Sequence, residues 1–382
     1  MVKKNFRILV CPLDWGIGHA TRCVPVIRQL IHENHEVIIA ADGGPLDFLR
    51  EYFPELEFVR LPGFRVTYPS GNNMILKMIV QSPEITVSIY KEHRQLKKII
   101  KDYMVDVVIS DNRFGLWSKD AYSVYMTHQV MIKAKENMSW AAPLLYRIHR
   151  WFMKKYDECW VPDLPGERNL SGDLGHKQPL PINGSFIGIL SRFSEDGGRL
   201  NPPVTSSAPD LLVLLSGPEP QRTILEKLVL MQLEDYRDLD VVILQGLPGK
   251  PEKRSPLPRV RVFNHLPDGE ISKLISHAGV IICRPGYSTV MDLAVLGRSA
   301  VLVPTPGQTE QEYLAGYLSA KGSFVRMVQA SFTLNEALAA GRKLPENFDF
   351  ETNGSLLERR VIALQEKVFL TAEARRREGE NY

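Results

Sequence analysis

Residues 6–44 read FRILVCPLDWGIGHATRCVPVIRQLIHENHEVIIAADGG, and the fold class follows from this stretch. Phe6–Cys11 is a β-rich apolar run with little alternation, the pattern of a strand buried on both faces. A glycine turn follows, Trp15-Gly16-Ile17-Gly18-His19, and Val24, Ile27, Leu30 and Ile31 then recur at helical spacing. Glu36–Ala41 is a second buried strand, broken by Gly43-Gly44-Pro45. Strand, crossover helix and strand make a βαβ unit, the start of a doubly wound α/β sheet.

The same alternation continues outward. Strands are predicted at 56–61, 105–109, 122–126, 158–161 and 185–190, with helices at 88–103 and 139–156. Ser110-Asp111-Asn112-Arg113 and Thr127-His128-Gln129 fall as loops at strand C-terminal ends. Residues 191–209 carry Gly197, Gly198, Pro202, Pro203 and Pro209 with few apolar residues, which reads as a linker. A second α/β series begins at once: strands at 211–215, 241–244, 260–263, 280–283 and 300–303, helices at 222–233, 271–276, 289–296 and 312–321. The region from Glu351 onward is mostly helical, with a charged tail. The domains expected are therefore 1–190, a linker at 191–209, 210–350, and a closing helix and tail at 351–382. In open parallel sheets ligands bind beyond the strand C-termini, so a cleft between the two halves is the expected active site.

Composition agrees with two ordinary domains. The chain has 382 residues, 44% hydrophobic and 24% charged, which excludes a wholly disordered or collagen-like protein. Lys and Arg total 47 against 44 Asp and Glu, a net +3, too balanced to argue for a nucleic-acid partner. Cys11, Cys23, Cys159 and Cys283 form no CxxC pair, so neither a disulfide framework nor a zinc site is expected. The basic start is followed only by Ile8–Leu13, too short for a secretory signal, and no run approaches the roughly 18 apolar residues of a spanning helix. A cytoplasmic protein, soluble or peripheral on a membrane, is the expectation.

Three segments carry chemistry. Gly16 and Gly18 allow a tight turn and close backbone approach to a ligand at a helix N-terminus, where N–H groups are free. A dinucleotide fingerprint would need a third glycine, where Thr21 stands, with Asp42 as its acid. That reading leaves His19 unexplained: an imidazole at a helix start is held neutral and basic, suited to taking a hydroxyl proton. Arg284-Pro285-Gly286-Tyr287-Ser288-Thr289 opens a helix suited to holding phosphate, and Asp292 lies one turn beyond Ser288, within reach of a ribose diol. An ordinary capped helix explains the same residues equally well. Pro304–Tyr313 clusters carboxylates and amides after a buried strand, groups that bind vicinal hydroxyls or simply make a solvated loop.

Together these segments resemble the GT-B glycosyltransferases, and within them the MurG-like group of family 28, which moves N-acetylglucosamine from UDP-N-acetylglucosamine. The run Arg284–Ala294, then Gly297, Val303-Pro304 and Gln311-Glu312-Tyr313, is similar to that group's nucleotide-sugar signature, and Gly16-x-Gly18-His19 to its first glycine loop. The resemblance implies a GT-B fold, two Rossmann-like doubly wound domains facing across a cleft with a C-terminal helix closing back. It implies His19 as general base. Arg284, Gly286, Ser288, Thr289 and Asp292 would hold the donor nucleotide, Asp292 on its ribose. Ser216 and Gly217 would lie near the diphosphate, and the Phe263–Leu266 backbone, Asn264 included, would face the uracil. Gln311 and Glu312 would hold the donor sugar, with Glu standing where the group has a second glutamine. It further implies inverting transfer to a hydroxyl of an envelope glycan or lipid-linked acceptor, with no cofactor beyond the UDP-sugar substrate.

No metal is expected. The one Asp-x-Asp, Asp238-Leu239-Asp240, precedes a strand and so sits at the wrong end of the sheet. Helix N–H groups near Gly286 and Ser288 suit the charge that develops on a leaving diphosphate. Asp111 is a candidate to assist His19 or bind acceptor hydroxyls; Arg113 and His128 are candidates for an acceptor phosphate, with loop capping as the alternative. Residues 139–155 mix Trp140, Leu144, Ile148, Trp151 and Phe152 with Arg147, Arg150, Lys154 and Lys155, and residues 74–80 with Lys77 would extend this strip. It suits a helix lying on anionic lipid, or a core helix with a solvated basic face. Three other functions fit less of the sequence: a UDP-N-acetylglucosamine epimerase on the same fold, a NAD-dependent oxidoreductase, and a non-catalytic sugar-nucleotide-binding subunit.

Overall fold

The computed structural model describes residues 5–63, 82–133, 142–194, 208–217, 219–247, 257–345 and 355–379. In the N-terminal lobe, β1 (Arg7–Pro12), β2 (Glu36–Ala41), β3 (Glu57–Arg60), β4 (Val107–Asp111), β5 (Tyr122–Met126), β6 (Glu158–Val161) and β7 (Gly184–Phe186) form one sheet. Its order is β3-β2-β1-β4-β5-β6-β7, and every pair is parallel. The helices are α1 (Ile17–His32), α2 (Gly43–Tyr52), α3 (Ser82–Tyr103), α4 (Ala142–Met153) and the short α5 (Asp173–His176).

The C-terminal lobe repeats the plan. Strands β8 (Leu211–Leu214), β9 (Val241–Leu244), β10 (Val260–Phe263), β11 (Val280–Cys283), β12 (Val301–Leu302) and β13 (Val325–Arg326) run β10-β9-β8-β11-β12-β13, again all parallel. Its helices are α6 (Gln221–Leu233), α7 (Asp268–His277), α8 (Tyr287–Val295), α9 (Thr309–Ala320) and α10 (Leu334–Gly341). In both sheets the first strand has its second strand on one side and its fourth on the other. Strand order therefore reverses between β1 and β4 and between β8 and β11, where a doubly wound sheet opens its ligand crevice.

The missing alternation in β1 has a direct cause. Ile8 and Val10 pack with Ile27 and Leu30 of α1, while Leu9 and Cys11 face Leu96 and Ile99 of α3. Both faces are covered, so no polar side is needed. Val24, Ile27 and Leu30 are buried as their spacing predicts, but Ile31 lies off the stripe and is exposed.

The final helix, α11 (Ser355–Gly379), crosses back to the N-terminal lobe. Val361, Leu364 and Val368 are buried, and Arg360 and Lys367 reach the buried Glu158 carboxylate at 2.7 and 2.9 Å. Helix α1 touches both α8 and α11, so it joins the N-terminal lobe to the C-terminal lobe and to the closing helix. Of the expected linker, Ser191–Phe193 is buried at the interface, Ser194 is exposed, and 195–207 lies outside the described residues, as do 74–80.

Several boundaries move. Ser110 and Asp111 are the last residues of β4, not loop. The Gly43-Gly44-Pro45 break is the first turn of α2 rather than an end to structure. A proline there forfeits nothing, because first-turn N–H groups have no helical partner. Short β13 and α10 carry too few periodic residues to stand out in sequence.

Candidate active site

The β1–α1 connection turns at Gly16, whose φ of +92° favours a residue without Cβ. That turn sets His19 in the first turn of α1, above the C-terminal end of the sheet. Pro12 of β1 pairs in register with Asp111 of β4, which brings His19 and Asp111, 92 residues apart in sequence, together at the crevice. His19 Nδ1 lies 2.9 Å from Asp111 Oδ2.

Arg22, one helical turn beyond His19, completes the group. Its Nε donates to Asp111 Oδ2 at 2.9 Å, and its Nη2 also bonds Asp111 Oδ1. Its Nη1 lies 2.9 Å from His128 Nδ1. Burial alone would raise the Asp111 carboxyl, but Arg22 and His19 outweigh it and hold Asp111 at about 2. Burial first, then the Arg22 charge, lowers His19 against the opposing pull of Asp111. Burial and the Arg22 charge, rather than the helix dipole alone, thus favour the neutral imidazole.

The C-terminal lobe closes directly on this group. Ser288 Oγ donates to the Gly18 carbonyl at 2.6 Å, joining the first turn of α8 to that of α1. Tyr287 stacks on the His128 ring, centroids 4.3 Å apart and planes 6° from parallel. His128 Nε2 lies 2.8 Å from Glu310 Oε1, and Gln129 Nε2 also donates to Glu310. Glu310 sits in the first turn of α9. Gly286 caps α8 with no side-chain cap, Thr289 Oγ1 lying 3.7 Å from where a Cβ would stand, and the first-turn N–H groups at Tyr287, Ser288 and Thr289 have no helical partner.

Asp292 lies one turn further along α8. Its Oδ1 accepts from Ser191 Oγ at 2.6 Å, and Arg192 Nε stands 3.8 Å from Oδ2. Burial raises this carboxyl to about 6, with Arg192 and Ser191 pulling it down. Ser216 and Gly217 follow β8 at the second switch point, with Gly217 exposed at φ +97°.

Other expected site residues are placed differently. Arg284 is fully buried: Nη1 donates to Val303 O at 2.9 Å, and Nη2 to Gln221 O at 2.8 Å and Gln329 Oε1 at 2.6 Å. It braces the interior of the lobe and does not reach the crevice. Gln311 Oε1 accepts from Thr305 N and Glu312 Oε1 from Gly307 N, both at 2.8 Å, so each ties the loop before α9. The carboxylate facing across the cleft is Glu310, which precedes the expected pair in the chain. The Phe263 and Asn264 carbonyls accept from Gln245 N and Leu247 N, so they face β9 and its loop. Beside them, between the lobes, Phe48, Glu51, Tyr52, His265, Pro267 and Asp268 line a pocket of about 290 Å³.

Arg113 is buried against Glu92 at 3.0 Å and donates to Leu61 O at 3.0 Å, so it has no free face for an acceptor phosphate. Both ring nitrogens of His128 are engaged, which removes it from that role as well. Asp42, the acid of the dinucleotide reading, is held by Arg60 at 2.7 Å. Among the described residues no three metal-ligating side chains converge. Sequence reasoning passed over Arg22, Tyr287, Glu310 and Ser191. Only Arg22 carried a usable signal, its i, i+3 spacing from His19.

Residues 6–141 match the sequence profile of Glycosyl transferase family 1, and residues 227–355 that of the Glycosyltransferase family 28 C-terminal domain. The chain is a glycosyltransferase of GT-B type, similar to the MurG-like group. The transferase is 23% identical over 362 residues to the UDP-N-acetylglucosamine–N-acetylmuramyl-(pentapeptide) pyrophosphoryl-undecaprenol N-acetylglucosamine transferase of Pasteurella multocida, covering 92% of this chain and 91% of that one. It is 21% identical over 378 residues to an uncharacterized glycosyltransferase of Methanosarcina mazei, covering 92% and 93%. Among solved structures it is similar to the glycosyltransferase SnogD from Streptomyces nogalater (TM-score 0.60, 15% identity, 95% of this chain and 100% of that one). It is also similar to Acinetobacter baumannii MurG (TM-score 0.51, 14% identity, 95% and 100%). At these identities the structures establish the two-lobed fold of the transferase, and its chemistry rests on its own residues.

Proposed function

We propose that the enzyme moves a hexosyl or N-acetylhexosaminyl group from a UDP-sugar to a hydroxyl of an envelope glycan or glycolipid. The observation that carries this is the meeting of the His19–Asp111 pair with the first turn of α8, at the switch points of the two sheets. His19 Nε2 takes the acceptor hydroxyl proton, and the alkoxide oxygen forms its bond to the sugar anomeric carbon from the face opposite UDP. The bond from that carbon to the diphosphate oxygen breaks with inversion, and its electron pair leaves with UDP. The α8 N–H groups and Ser288, released from Gly18, receive that charge; the proposed reaction requires no metal. Asp292 would bind the ribose hydroxyls and Glu310 the donor sugar.

The acceptor is proposed to arrive at a membrane. Helix α4 buries His149 and Met153 but exposes Leu144, Ile148 and Trp151, at i, i+4 and i+7, beside exposed Arg147, Arg150 and Lys154. An apolar stripe flanked by bases fits the cytoplasmic face of an anionic bilayer. No helix among the described residues is long and apolar enough to cross a membrane. Calorimetry with UDP, GDP, dTDP and NAD tests the donor assignment. Preference for UDP supports it; preference for NAD, or no nucleotide binding, contradicts it.

A further inference from the structure

Arg22 belongs to none of the roles that the nucleotide-sugar signature supplies, yet its guanidinium contacts Asp111, His19 and His128 together. A guanidinium only donates hydrogen bonds. Its Nη1 contact to His128 Nδ1 at 2.9 Å therefore makes that nitrogen an acceptor. The His128 proton must then sit on Nε2, where it donates to Glu310 Oε1 at 2.8 Å. One guanidinium thus dictates the tautomer that links the two lobes.

His19 receives a different instruction from the same group. Its Nδ1 lies between Asp111 Oδ2, which only accepts, and Arg22 Nη2 at 2.8 Å, which only donates. Arg22 Nη2 has an alternative acceptor in Asp111 Oδ1, whereas Asp111 Oδ2 facing a ring lone pair would be repelled. The proton therefore sits on Nδ1 and leaves Nε2 as the free base. A second proton would place an imidazolium within hydrogen-bond reach of the guanidinium, which the Arg22 charge opposes. The charged and titratable groups around His19 are Arg22 from α1, Asp111 from β4, His128 after β5 and Glu310 from α9.

We propose that Arg22 is the positioning residue of the transferase centre: it fixes the proton of His128 on Nε2 and opposes a second proton on His19, and so ties the neutral base to Glu310 across the cleft. The Asp111 carboxylate orients the base while the Arg22 charge keeps it neutral. This rests on reading His19 as the base.

Histidine-labelled full-length enzyme, studied by ¹⁵N NMR, tests it without substrate. His128 is expected with its proton on Nε2 and His19 neutral at pH 7. A wild-type His128 protonated on Nδ1 would overturn the proposal, whatever any variant does. In Arg22→Gln the acid limb of the kcat/KM profile is expected to move to higher pH, with kcat/KM at pH 7 down roughly tenfold or more. Arg22→Lys, which keeps the charge, should restore the limb but not the His128 tautomer. An unmoved acid limb in a folded Arg22→Gln enzyme also overturns it. Full activity in His19→Ala would instead remove the base reading, while the wild-type His128 tautomer still tests the role of Arg22 by itself.

Discussion

His128 of the N-terminal lobe and Glu310 of the C-terminal lobe meet at 2.8 Å across the cleft, and the pair lies directly beside the His19–Asp111 contact. The proposed acceptor and donor machinery is therefore one hydrogen-bonded unit when the lobes are closed, with Arg22 at its centre.

The base assignment predicts a split between binding and turnover. His19→Ala and Asp111→Asn should each lower kcat by about 10²–10⁴, the usual contribution of a positioned base. UDP affinity should stay within about twofold in His19→Ala, because the proposed role of His19 is toward the acceptor hydroxyl and not the nucleotide. Steady-state kinetics beside calorimetry checks both halves.

The crevice geometry predicts that adjacent glutamates behave differently. Glu310→Ala removes the carboxylate facing the cleft and should reduce kcat/KM for the sugar nucleotide by tenfold or more. Glu312→Ala removes a bond to Gly307 N and should cost about 0.5–1.5 kcal/mol of stability with little kinetic effect. The reverse pattern in kinetics and denaturant melts would restore Glu312 as the sugar contact.

Burial of Asp292 predicts a stability–function trade. Its folded carboxyl titrates at about 6, above the ordinary 3.8, so the folded chain binds the proton more tightly than the unfolded chain. Stability is favoured below about pH 4 and declines as pH rises to about 6, a cost of up to about 3 kcal/mol at pH 7. Asp292→Asn should therefore be more stable than wild type at pH 7, with the gain gone near pH 4. Urea melts at the two pH values check this sign.

The exposed stripe of α4 predicts membrane binding that can be removed without unfolding. Combining Leu144→Ser, Ile148→Ser and Trp151→Ser should cut co-sedimentation with anionic vesicles at least tenfold. The far-ultraviolet spectrum and UDP affinity should not change. Equal sedimentation of wild type and variant would show that another surface carries any attachment.

Both sheets were legible in the sequence because parallel strands are short apolar runs between turn residues, and the Gly16–His19 turn marked the first crevice. The closeness of His19 and Asp111 was not, since it depends on β1 and β4 being neighbours, a fact of strand order rather than of local pattern. Motif position also says nothing about side-chain direction. Arg284 stands inside the phosphate-loop motif yet turns inward to Val303 and Gln329, and Arg113 turns to Glu92. The offset between Glu310 and Glu312 has the same origin. Neighbouring first-turn residues of a helix differ by about 100° in direction, so only the start of α9 at Thr309 decides which one faces the cleft.

The proposed transfer depends on α8 holding a UDP-sugar opposite His19. Calorimetric titration of UDP into wild type, Asp292→Ala and His19→Ala is the decisive measurement. UDP should bind wild type, bind Asp292→Ala at least tenfold more weakly, and bind His19→Ala unchanged while turnover is lost. Equal UDP affinity in wild type and Asp292→Ala, or none in wild type, would overturn the donor site.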